Sequence, residues 1–114
     1  MAVVERYLGC VVDHDWAGAE ACLAPHVVRI GPFGDNFTSR EPYLAHLAEV
    51  MPTLAGYSME IHRVVPAAAG VVVAELTETV EVDGQPRLTP EALVFDVDAS
   101  GLIHRIAIYL QQVR

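Results

Sequence analysis

Basic residues are scarce: seven Lys and Arg stand against fifteen Asp and Glu, a formal net charge of −8 over 114 residues. A nucleic-acid binder needs a cationic stripe to neutralise phosphates. No Lys/Arg cluster exists here, which excludes nucleic acid as a partner and disfavours anionic membrane surfaces. Cysteine is scarce too. Cys10 and Cys22 are too few for a disulfide scaffold and lack metal-ligand spacing, so two free thiols in a reducing, cytoplasmic compartment are expected. The apolar runs fall far short of the ~20 residues that span a bilayer. The opening MAVVERYLGC carries Glu5 where a secretory leader is basic, and no such leader is expected. Glycine-rich phosphate loops, nucleophile elbows and His/Cys metal clusters are missing, so neither metal nor cofactor is expected. Small, neutral or apolar partners remain.

What is present is apolar substance, 53% of residues. That suffices for a single domain over residues 1–114 that buries roughly 65% of its unfolded surface. The first third reads as helical. Val4, Tyr7, Leu8, Val11 and Val12 form one apolar stripe over residues 2–13. Asp15 is positioned to cap a second helix running from Trp16 to Leu23 and closed by Pro25. A short β-branched run, Val27 to Ile30, leads into the loop Gly31 to Gly34. Ser39 then opens a third helix with Pro42 early, ending near Pro52. From Gly56 the period changes to two, predicting strands at 57–66, 71–82, 88–97 and 102–111. Helices followed by a meander predict an α+β domain: a cone-shaped, curved antiparallel sheet packed against three N-terminal helices.

Alternation assigns the faces. Ala74, Leu76, Glu78, Val80 and Val82 face inward on one strand, and Thr89, Glu91, Leu93, Phe95 and Val97 on the next. Met59, Ile61, Arg63 and Val65 precede them; Leu102, His104, Ile106, Ile108 and Leu110 follow. Four ionisable residues therefore sit on the inner face: Arg63, Glu78, Glu91 and His104. If Asp83-Gly84 is a two-residue hairpin loop, Val82 pairs with Gln85, Glu78 with Thr89 and Leu76 with Glu91. The glutamates are then diagonal neighbours about 7 Å apart; a four-residue loop sets them directly opposite, at about 5 Å. The same arithmetic sets Met59 beside Glu78, Ile108 beside Glu91, Arg63 opposite Ala74 and His104 opposite Phe95. Both basic residues then lie on the order of 13 Å along the strands from the nearer glutamate, beyond ion-pair reach. Two carboxyls against apolar walls raise at least one pKa, giving a proton donor beside an acceptor. The bland alternative is a structural contact with a donor on a helix.

The run VERYLGCVVDHDWAGAEACLAPHVVRIGPFG, then SREPYLAHL and FDVDASGLIHRIAIYL, resembles the nuclear transport factor 2-like superfamily, in particular its SnoaL-like polyketide cyclases and ketosteroid isomerases. The resemblance covers nearly the whole chain and implies the cone-shaped scaffold. It implies Tyr7 as the hydrogen-bond-donating tyrosine of the first helix. The catalytic aspartate position of the isomerases is here Gly31, their second oxyanion-stabilising acid is Leu93, and the cyclase acid is Ile108, so neither template is intact. The acid–base group is therefore sought at Glu78 and Glu91, with Asp35 a further candidate base. Trp16, Phe33, Met51, Met59, Arg63, Leu76, Leu93, Phe95, His104, Ile106 and Ile108 are the expected lining of a substrate pocket. The expected function is cofactor-independent isomerisation, cyclisation or hydration/dehydration of a hydrophobic polyketide-, steroid- or terpenoid-like molecule. The alternative is a non-catalytic ligand-binding or dimerisation module, with Val64, Thr77, Thr79, Ala107 and Tyr109 on an outer face suited to a homodimer.

Overall fold

A computed structural model describes residues 2–111. Its elements are α1 (Ala2–Val12), α2 (Trp16–Cys22), β1 (Leu23–Ile30), α3 (Arg40–Val50), β2 (Ser58–Pro66), β3 (Val71–Val82), β4 (Gln85–Val97) and β5 (Ile103–Leu110). The sheet order is β1-β5-β4-β3-β2. The last four strands form the expected antiparallel meander, while β1 pairs with β5 in parallel and makes the sheet mixed. β1 begins sooner than Val27. Leu23 and Ala24 are buried strand residues, and Pro25 lies within the strand instead of closing α2.

The helices bury their apolar stripes against the sheet's inner face. Val4, Tyr7, Leu8 and Val11 of α1 join Tyr43, Leu44 and Leu47 of α3 over Leu76, Leu93, Phe95 and Ile106. Val12 leaves the predicted stripe and is exposed, and Cys10 is buried in its place. Each large apolar side chain hidden here contributes about 1.5–3 kcal/mol. Asp15 caps α2 as expected, its Oδ1 accepting from the Gly18 amide at 2.9 Å. Gly18 is required there: a Cβ would lie 2.4 Å from Asp15 Oδ2 and 2.8 Å from Cys10 Sγ.

The β3–β4 hairpin takes the two-residue turn. Asp83 and Gly84 have φ of 54° and 76°, the left-handed pair that a type I′ turn demands. Val82 pairs with Gln85, Glu78 with Thr89 and Leu76 with Glu91, the register derived from that loop length. On the flanking strands parity fails. One extra residue, His62, bulges β2 between Ile61 and Arg63, and another, His104, bulges β5 between Ile103 and Arg105. Arg63 consequently pairs with Glu75 rather than Ala74 and is exposed on the outer face, in an ion pair with the Glu75 carboxylate. Val64 takes the inner place opposite Ala74, which also removes it from the proposed outer patch. His104 is exposed, and Ile106 is the partner of Phe95. Ile108 stands opposite Leu93, with Leu110 opposite Glu91.

Candidate functional site

Between α1, α3 and the sheet lies a chamber of about 250 Å³. Its apolar walls include Leu8, Val11, Leu47, Met51, Met59, Leu93 and Ile108; its polar groups are Tyr7, Arg29, Asp35, Tyr43, His46, Glu78 and Glu91. A second chamber of about 250 Å³ adjoins it and is lined by Pro32, Phe33, Tyr57, Val80, Thr89 and Leu110. The two share Arg29, Leu54, Glu78, Glu91 and Ile108, so both glutamates stand at the throat between an inner and an outer compartment. A larger depression of about 540 Å³ lies toward the sheet's other face, where His62, Glu75, Pro90, Ala92 and Tyr109 line it. It touches Glu91 but not Glu78, and so lacks the carboxyl pair.

The throat distinguishes two identical side chains. Glu91 is only 8% exposed. Burial, and then the neighbouring Glu78 through a shared proton and charge repulsion, lifts its pKa to about 9; Arg29 opposes the rise. Burial therefore favours the neutral form of Glu91, the form that carries a proton. Glu78 instead accepts a hydrogen bond from the Tyr57 hydroxyl. Burial and the adjacent Glu78 push the Tyr57 pKa upward, so it remains a donor.

Deeper in, the Tyr7 and Tyr43 hydroxyls are 2.5 Å apart and both side chains are buried. Burial first, and each other's presence second, hold the Tyr7 proton more firmly than in water. Arg29 arrives from β1. Its Nη1 donates to Asp35 Oδ2 at 2.6 Å and to the Asp35 carbonyl at 2.8 Å, and its guanidinium carbon lies 5.6 Å from the centre of the Tyr43 ring. Partial burial raises the Asp35 pKa, but the Arg29 hydrogen bond and the Phe33 amide outweigh it and leave it lowered. Asp35 is thus an ion-pair partner that fixes the β1–α3 loop, an environment poorly suited to a displaced base.

Of the expected lining, Tyr7, Met51, Met59, Glu78, Glu91, Leu93 and Ile108 come together in the inner chamber, and Phe33 joins the outer one. Phe95 and Ile106 are wholly covered beneath it, with Phe95 edge-on to Tyr7; Leu76, also buried, neighbours Glu91 in the sheet without lining either compartment. Trp16 is remote from the chambers, stacking on His14 at the α1–α2 turn, where a half-buried helix start holds it. Arg63 and His104 are removed from the inner face by their bulges. Arg29, Tyr43, His46 and Tyr57 enter unforeseen as chemistry-bearing residues. Parity held the signal for two of them: Arg29 shares a face with Val27, and Tyr57 with Met59.

Among the described residues, no group of three His, Cys, Asp or Glu side chains could hold a metal ion, and no helix is long and apolar enough to cross a membrane. No curated protein matches the chain. A Mycobacterium tuberculosis LEH-like epoxide hydrolase is 22% identical, with a TM-score of 0.82 over 96% of this chain and 80% of that one. A Methylobium petroleophilum PM1 protein of unknown function with a cystatin-like fold is 23% identical, at a TM-score of 0.84 over 99% and 76%. A further M. tuberculosis protein, solved in complex with estradiol-17β-hemisuccinate, is 21% identical, at a TM-score of 0.79 over 96% and 92%. At these identities the likeness establishes the fold, and 350 matching chains mark that fold as common property of many proteins rather than of one activity. Residues 4–106 match the SnoaL-like domain, so the chain belongs to that family.

Proposed function

We propose that the protein is a small-molecule enzyme of the SnoaL and ketosteroid isomerase type, using cofactor-independent acid–base chemistry on a hydrophobic polyketide-, steroid- or terpenoid-like substrate. The observation that carries this reading is the meeting of Glu78 and Glu91 at one throat between apolar chambers. Glu78, oriented by Tyr57, takes a proton from the substrate; Glu91, protonated at neutral pH, returns one at another position. The Tyr7 and Tyr43 hydroxyls share one hydrogen bond, and the hydroxyl proton of that pair left outside it serves an oxygen that gains charge in the reaction. Isomerisation, cyclisation and hydration or dehydration all need that combination. Each chamber falls below the ~300 Å³ floor of common ligand sites, so a substrate of steroid size occupies both, with its reacting carbons at the throat. The related protein's complex with a steroid ester supports such an occupant.

Thermal-shift screening against hydrophobic ketones, lactones and epoxides identifies ligands, and turnover of those hits is then measured in Glu78→Gln and Glu91→Gln. Both substitutions should abolish turnover while the melting temperature stays level or rises. Full activity in both variants refutes the reading. Ligands that bind without ever being converted point to the non-catalytic alternative. Association into a homodimer through the sheet's outer face, where Tyr109 is 58% exposed, is part of the same proposal and is read by light scattering.

A further inference from the structure

Arg29 is the strong cation of the chambers, and its hydrogen bonding is incomplete. Nη1 serves Asp35 twice, whereas Nε is buried with no partner among the described residues. A buried donor without an acceptor is costly enough that folded proteins rarely keep one without use. The side chain is 11% exposed and belongs to the wall of both compartments. Its charge is felt at Glu91, Tyr7 and Tyr43, which share the inner chamber's wall with it.

We propose that the unpaired edge of the Arg29 guanidinium is a carbonyl anchor, and that the substrate of this site is a neutral carbonyl compound held by a hydrogen bond from that edge. This rests on the acid–base reading of the same chambers and adds the functional group that is recognised. Two features choose a neutral oxygen over a carboxylate. Asp35, 2.6 Å from Nη1, already balances the guanidinium charge. Glu78 and Glu91 share the chamber, so a carboxylate ligand would add a further acidic group to a wall that holds no other Arg or Lys among the described residues. A ketone, ester or lactone oxygen accepts the hydrogen bond and adds no charge. Protein covers Nε, so a ligand oxygen reaches it by displacing a neighbouring group.

The test compares three probes of one bicyclic skeleton: trans-2-decalone, decalin, and decalin-2-carboxylate. Dissociation constants are measured by competition on wild type, on Arg29→Lys, and on the charge-balanced double variant Arg29→Met with Asp35→Asn. Circular dichroism confirms that each is folded. One hydrogen bond from a charged donor predicts that wild type binds the ketone about tenfold or more tightly than either other probe. That preference should fall to within about threefold in the double variant, and Arg29→Lys, which keeps the charge but loses the planar edge, should lose most of it. The carbonyl stretch of bound ketone should sit lower in wild type than in the double variant. Equal binding of ketone and hydrocarbon, tightest binding of the carboxylate, survival of the preference in both variants, or no ketone binding at millimolar concentration overturns the proposal. Exchange of the ketone's α-hydrogens in heavy water reports separately on Glu78 and Glu91. A ketone preference that follows Arg29 while wild type shows no exchange sustains the anchor and removes the acid–base reading.

Discussion

Replacing Glu91 with Gln should change how stability depends on pH, and the structure supplies both sign and size. In the unfolded chain this carboxyl titrates at its ordinary value of 4.5; in the folded protein burial, and then Glu78, hold it at about 9. Between these values the native state binds a proton that the unfolded state has released. Stability from this group is thus complete below the unfolded pKa and is lost as pH rises toward the folded one. The limiting slope is about 1.4 kcal/mol per pH unit, so the span from about pH 5.5 to 8.5 removes at most about 4 kcal/mol. Relaxation of the throat and access of water through the outer chamber reduce the expected loss to about 2 kcal/mol. Gln keeps the shape and a donor but does not titrate. Urea unfolding of wild type and Glu91→Gln at about pH 5.5, 7 and 8.5 should therefore show the variant gaining on wild type by about 2 kcal/mol across the series. Titrating groups remote from the throat contribute alike to both proteins and cancel in the comparison. Parallel stability profiles would show that Glu91 ionises in the native state, and the donor role would go with it.

Tyr57→Phe removes the hydroxyl that orients Glu78, and kcat should fall about three- to tenfold with KM nearly unchanged, as expected for a lost hydrogen bond to a carboxylate. Gly18→Ala forces a Cβ into Asp15 and Cys10 at the α2 cap, and chemical denaturation should register a loss of about 1–2 kcal/mol, with turnover of the folded fraction intact. Arg63→Ala and His104→Ala, both on exposed positions set by the bulges, should leave melting temperature and turnover unchanged; a loss of activity in either would place it back on the inner face.

How far the site was legible in the sequence depended on where alternation could be trusted. Strands β3 and β4 are joined by a two-residue turn that fixes their register, and no extra residue interrupts the ladder between them. Parity there carried Glu78 and Glu91 to one face and their diagonal relation with them. Bulges at His62 and His104 each insert one residue, and beyond each the faces exchange. Nothing in the local composition marks either histidine as the inserted residue, so Arg63 and His104 were assigned inward. Arg29 was obscured differently: it lies inside the short β-branched run from Val27 to Ile30, and the parallel partner β5 that fixes the face of that run is distant in sequence. The Tyr57–Glu78 contact needed the curvature of β2 as well as its parity. The fold itself was plain, because helical stripes and strand alternation each point to the same two layers.

The two glutamates also show why residue type alone could not assign the chemistry. Glu78 and Glu91 belong to adjacent strands, face one compartment and differ only in their neighbours. The half-buried Tyr57 aims its hydroxyl at Glu78, which accepts its hydrogen bond. Glu91 has no such donor among the described residues; it has burial, and a carboxylate beside it. Burial beside Glu78 therefore favours the protonated form of Glu91. Arg29 shares the wall with both glutamates without pairing to either, because Asp35 already occupies Nη1. Removing Asp35 alone should thus disturb the carboxyl pair more than removing Arg29 and Asp35 together: a freed guanidinium would be drawn to the glutamates and favour the ionised form of Glu91, which the pH dependence of urea unfolding in the single and double variants reads.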